Sequence, residues 1–91
     1  MKYVALCKNG DAIFGDVVER NGLIVTMKDA TRAKSYLGAD TIADIAMGYI
    51  EGSDEQIVAF RLERIVIRNW QMLIPLTEKA RKNIERYIAK E

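Results

Sequence analysis

Asn21-Gly22 lies between two runs rich in strand-forming residues, Ala12–Arg20 and Leu23–Lys28. This dipeptide is among the strongest short-range signals for a β-hairpin, because both residues tolerate the positive φ that a type I′ turn demands. A third run, Lys2–Lys8, precedes them and is joined by the turn residues Asn9-Gly10-Asp11. Three consecutive strands with short turns make a meander, and Gly15 within the second marks a bulge or bend.

The stretch Asp29–Asp40 reads either as an extension of the sheet or as a loop closing at Gly38. A helix follows, with Asp40 or Thr41 as its cap and Asp44 three residues after Thr41. Ile42, Ile45, Ala46 and Tyr49 fall on one face, and Gly48 marks the end. Glu51–Glu55 is a polar connector. Ile57–Ile74 is dense in β-formers but too long for one ordinary strand, so it divides near Glu63-Arg64 or at Asn69. Pro75 stops the sheet, and Thr77 caps a final helix from Glu78 to about Lys90, with Ala80, Ile84, Tyr87 and Ile88 as its apolar stripe. The expected fold is α+β: a single domain over residues 1–91, built on an antiparallel sheet of about five strands, bent or barrel-like, with a short central helix and a C-terminal helix. Such a small sheet leaves edges that homo-oligomerisation would cover.

Composition narrows the chemistry. The chain has no histidine and one cysteine, Cys7. Ser-His-Asp and Cys-His catalysis, and zinc sites built on those ligands, are excluded, as is an intramolecular disulfide. No catalytic residues, metal ligands or cofactor motif emerge, so the expectation is a non-enzymatic protein that needs no cofactor. Cys7 reads as a buried thiol in a reducing compartment, and the early charge at Lys2 and Lys8 does not suit a signal peptide. No apolar run reaches the length of a membrane span, and the expected location is the cytoplasm.

The net charge of +1 argues against nucleic acid as the partner, but it is unevenly spread. Residues 1–54 carry six basic against eight acidic side chains, and residues 55–91 eight against five. Two clusters combine cations with an aromatic ring. Arg64 and Arg68 share strand parity with Trp70, and arginine beside tryptophan can stack on bases or hold phosphate bidentately. Arg32, Lys34 and Tyr36 sit just before Gly38 and a helix start, where free backbone N–H groups favour anions. For each cluster the competing reading is a solvated surface.

One resemblance extends over most of the chain. The succession Gly15, Gly22-Leu23-Ile24-Val25-Thr26-Met27, Ala30-Thr31-Arg32, then Tyr36-Leu37-Gly38-Ala39-Asp40-Thr41-Ile42-Ala43-Asp44-Ile45-Ala46, with Ile74-Pro75-Leu76-Thr77-Glu78-Lys79-Ala80 near the end, resembles a family of short phage and prophage proteins of unassigned function. Thr31-Arg32 stands where that family has paired arginines, and Lys34 and Tyr36 where it has tryptophans. The resemblance implies a small accessory protein made by a phage inside its host. Joined to the two clusters, it gives the expectation of an oligomeric anti-defence protein that sequesters a small anionic, nucleotide-type immune signal or a host defence component. Its ligand would be held by Arg32, Lys34 and Tyr36 together with Arg64, Arg68 and Trp70. The alternative is a structural or protein-partner module, either a virion component or an inhibitor docked on a host enzyme.

Overall fold

In the computed structural model, which describes residues 2–35, 37–51 and 57–87, the chain is an α+β protein with a five-stranded antiparallel sheet and two helices. The elements run β1 (Lys2–Cys7), β2 (Asp11–Asn21), β3 (Ile24–Ser35), α1 (Ala39–Met47), β4 (Ile57–Ile67), β5 (Trp70–Pro75) and α2 (Glu78–Glu85). Their order across the sheet is β4-β3-β2-β1-β5, so β4 and β5 are adjacent in sequence but occupy opposite edges. The expected division of the long β-rich run falls at Arg68-Asn69 and not at Glu63-Arg64.

The hairpin forms one residue later than expected. Asn21 pairs with Ile24, leaving Gly22-Leu23 as the two-residue loop. Only Gly22 has positive φ, the pattern of a type II′ turn and not of the type I′ turn that Asn21-Gly22 would make. Beyond it β3 continues through the ambiguous segment to Ser35, pairing with β2 on one side and β4 on the other.

Two irregularities bend the β2–β3 pair, and a third shifts the β1–β5 register between Leu6 and Cys7. Between Phe14 and Asp16 the β2–β3 register shifts, with Asp29 on β3 in the left-handed region at φ 49°. Gly15 lies opposite: a Cβ there would stand 2.9 Å from the Lys28 carbonyl oxygen and 3.2 Å from the Ala30 Cα, so only glycine lets the strands approach this closely. A second shift, between Val17 and Glu19, lies nearer the hairpin. Bulges of this kind increase twist and bend the strand.

The bent sheet has a core on each face. On the helix side, Val4, Leu6, Ala12, Phe14, Ala33, Ile57 and Ala59 pack against Ile42, Ile45 and Ala46 of α1 and Ala80 and Ile84 of α2. On the opposite face Ala5, Cys7, Ile13, Val25, Met27, Ala30 and Ile67 are buried without a helix over them. Trp70, Leu73, Ile65 and Leu62 close around this second cluster, so the sheet curls over its own side chains. Two contacts hold the curl: Trp70 Nε1–H donates to the Leu23 carbonyl at 2.8 Å, and Lys8 N–H to the Asn69 carbonyl at 2.9 Å.

Helix termini differ in how they are satisfied. Thr77 caps α2 as expected, its Oγ1 accepting from Ala80 N–H at 3.2 Å. For α1 the cap position belongs to Gly38, with no side-chain cap bond, and Thr41 Oγ1 instead lies 3.2 Å from the Leu37 carbonyl, to which it donates. Neither Asp40 nor Thr41 caps this helix. Gly48 ends it in the left-handed region, with the N–H groups of Gly48 and Tyr49 returning to Ile45 and Asp44. Tyr49, read from spacing as part of the apolar face, falls past the helix end and is 78% exposed. α2 ends at Glu85 with Arg86 and Tyr87 in a turn, short of the expected extension toward Lys90, and Ile88 of the expected stripe lies outside the described residues. Among the described residues no helix is long and apolar enough to cross a membrane.

Candidate functional site

The side chains nominated from sequence do not converge. Arg32 lies on β3 opposite Phe60 of β4, while Arg64 is paired with Lys28, four residues further along. At about 3.3 Å per residue, this separates them by roughly 13 Å along the strand. Arg68 is exposed in the β4–β5 connection. The parity argument linking Arg64 and Arg68 to Trp70 fails because the chain turns at Arg68-Asn69 and carries Trp70 to the other edge. Trp70 is already engaged: its N–H bonds Leu23, and the Arg20 guanidinium lies 5.2 Å from its ring centroid. Tyr36 lies outside the described residues. Lys34 is exposed two residues from Arg32, on the same face of β3.

What the structure does assemble is a cleft within the curl. It has a volume of about 170 Å³ and is lined by Cys7, Asn9, Asp11, Ile13 and Arg32 from the first three strands, with Ile65–Ile67 and Asn69 returning over them. Asp11 is the centre of it. Register places Ile13 opposite Arg32 and Asp11 opposite Lys34, so all four side chains issue from one face.

Asp11 is only 2% exposed, and its two carboxylate oxygens differ sharply. Oδ2 accepts from Arg32 Nε at 2.7 Å, lies 2.6 Å from Arg32 Nη2 and accepts from Asn9 Nδ2 at 3.2 Å. Oδ1 is buried with no hydrogen-bond partner among the described residues. Asn9 Oδ1 in turn accepts from the Asp11 N–H at 3.1 Å, so the turn residue locks the aspartate that follows it. Arg32 compensates the buried charge while remaining 44% exposed at the rim. A buried carboxylate oxygen left without a donor costs about 1–3 kcal/mol, more for a charged group. A bound N–H or O–H group would recover it.

Cys7 lines the same cleft. Burial pushes its thiol up from the ordinary value, the neighbouring Asp11 charge adds to this, and Arg32 partly offsets both. The wall residue is therefore held toward the thiol, the less nucleophilic form.

Of the residues that line this cleft, the sequence had singled out Arg32 but not Asp11, Asn9 or Asn69, and Lys34 lies outside the lining. Asn9 and Asp11 read only as turn formers, which they also are. The pairing of Asp11 with a residue 21 positions away depends on strand register, and its burial on the curl that brings Asn69 back.

No family model, curated protein or solved structure matches the chain. The likeness to short phage proteins rests on the motifs quoted above.

Proposed function

We propose that this chain is a non-catalytic binding protein for a small nucleotide-type ligand, held with its base edge in the Asp11 cleft. The observation that carries this reading is the unpaired Oδ1 of a carboxylate that is almost wholly buried in the cleft wall. A planar heterocycle bearing N–H donors would satisfy Oδ1, and Asn69 lines the cleft beside it as a further polar group. The volume suits one ring system and not a whole nucleotide, so sugar and phosphate would lie outside, toward the exposed Lys34 on the face that Arg32 shares. Arg64, Arg68 and Trp70 have no part in this arrangement. In the setting implied by the phage-like motifs, such a protein would act as a sink for a nucleotide-type immune signal of the host.

The test is native mass spectrometry of protein purified gently from host cells, followed by calorimetric titration with cyclic and linear nucleotides. The expected result is a reproducible excess mass and micromolar or tighter binding that D11N weakens at least about tenfold, the loss of one hydrogen bond to a charged group. No binding across the panel would reject the reading.

A second reading is favoured by exposed apolar side chains: Leu23 at the hairpin tip is 76% exposed, and Tyr49 and Ile50 follow α1 in the same condition. Such groups suit docking on a protein partner. Failure of nucleotide binding together with stoichiometric capture of one host protein, lost in L23S or Y49S, would establish it instead.

A further inference from the structure

A second cleft, of about 330 Å³, lies where α2 crosses the bulge in β3, and it is lined by Asp29, Ala30, Arg61, Leu62, Glu63 and Arg81. Arg81 is the unusual residue here. It is only 8% exposed, yet its guanidinium is not fully used. Nη2 donates to the Asp29 carbonyl at 2.9 Å, fixing the side chain against the strand at the residue with positive φ. Nε lies 3.6 Å from Glu85 Oε1, and Nη1 is buried without a partner among the described residues. Arg61, mostly exposed, lies 3.5 Å from the same Glu85 oxygen. One carboxylate oxygen is thus shared at long range by two guanidinium groups and saturates neither. Both keep free N–H groups, and both line the cleft.

The charge of the lining is balanced, Arg61 and Arg81 against Asp29 and Glu63, and Lys28 and Arg64, which face one another across β3 and β4, add positive charge beside it. A buried guanidinium N–H without a partner among the described residues calls for an acceptor. The planar fork of arginine suits phosphate oxygens better than a point cation does.

We infer that the Arg61–Arg81 cleft binds a tetrahedral oxyanion, either free phosphate or the phosphoryl group of a larger metabolite. This site is separate from the Asp11 cleft, shares no lining residue with it and stands whether or not nucleotide binds there. Arg81 supplies Nη1 from the floor, and Arg61 closes over the anion from the rim.

The probe is inorganic phosphate, compared with chloride at matched ionic strength in thermal unfolding of the full chain. Ligand binding to the folded state alone raises Tm, and saturating phosphate is expected to raise it by about 4 °C or more. R61Q, a change at an exposed position, should weaken the response at least about tenfold in phosphate concentration. R81K should abolish it, because a lysine keeps the charge but loses the fork. D11N should leave it intact. Ribose 5-phosphate distinguishes the sources: the same shift at much lower concentration, lost in R61Q, assigns a phosphorylated metabolite, and an equal or weaker response assigns free phosphate. Identical Tm in phosphate and chloride would overturn the proposal. So would an R61Q protein that responds like the parent, which decides the matter even if R81K fails to fold.

Discussion

The two faces of the sheet bury side chains by different means, and each hides one charged group that is only half satisfied. On the helix side, α1 and α2 supply a conventional apolar lid over Phe14, Ala33 and Ile57, and the half-satisfied group is Arg81, arriving from α2. On the other face no helix is present among the described residues, and burial comes from the curl of the sheet, with Trp70 and Asn69 drawn back toward β1 and the hairpin. Here the half-satisfied group is Asp11. A lid made of helices can be filled with methyl groups, whereas a curled sheet closes over whatever its turns place there. Asp11 follows such a turn, so on the second face the curl closes over a carboxylate, whereas the charged cleft on the helix side is made by Arg81 reaching from α2 to β3.

The comparison can be broken most forcefully at Phe14, which is fully buried under the helices. Phe14→Ala should cost about 3–5 kcal/mol in urea denaturation, by lost transfer energy and the cavity left behind. A loss near 1 kcal/mol would mean that the helices do not make the principal core. The curl is tested at Gly15. Gly15→Ala puts a methyl group against backbone atoms of Lys28 and Ala30 that cannot rotate away, and a loss of about 1–3 kcal/mol is expected. A neutral result would show that the bulge is not tightly set. Thr77→Ala sharpens the helix side alone: removing the cap of α2 should cost about 1 kcal/mol while leaving the proposed nucleotide binding at the Asp11 cleft unchanged.

The smallest effect concerns Cys7. Its thiol is held protonated in the fold, so the associated stability is fully present below the unfolded-state pKa and fades as pH rises through the higher folded value. At pH 8 the thiol should react with a disulfide reagent far more slowly in native than in urea-unfolded protein. Equal rates would mean that the curl opens freely.

Much of this architecture could be read from the residues. The meander, the Gly48 helix end and the Thr77 cap each rest on local chemistry, and local chemistry decided them. The two places where the sequence was ambiguous share one cause. On β3, Met27 and Ala30 are buried in the same cluster although three residues apart, because Asp29 interrupts the alternation. The broken pattern made residues 29–35 resemble a loop. On β4, Leu62 and Ile65 border the same cluster with the same spacing, on either side of Glu63-Arg64, where the length of the run suggested a break. The residues on either side of both points pair with each other, so a single irregularity crossing two strands blurred both readings. Tertiary pairing, invisible to periodicity, keeps both strands whole.

The site was less legible than the fold. Arg32 was visible as a cation near a helix start, but its partner is a turn aspartate that becomes buried only when the sheet curls. Arg81 looked like one of several cations on a solvated helix face. Its burial follows from the bulge at Asp29, whose carbonyl it meets across 52 residues of sequence. Trp70 lost its expected arginine neighbours once the Arg68-Asn69 turn sent it to the far edge, where it serves the curl.

The central claim, that the curled face forms a ligand cleft around Asp11, is tested most directly by two-dimensional amide NMR of labelled protein titrated with the nucleotide panel. Shifts concentrated at Asn9, Asp11, Arg32 and Asn69 in the parent and absent in D11N would match the account. Shifts scattered over the surface, or concentrated at Leu23 and Tyr49 and unaffected by D11N, would contradict it.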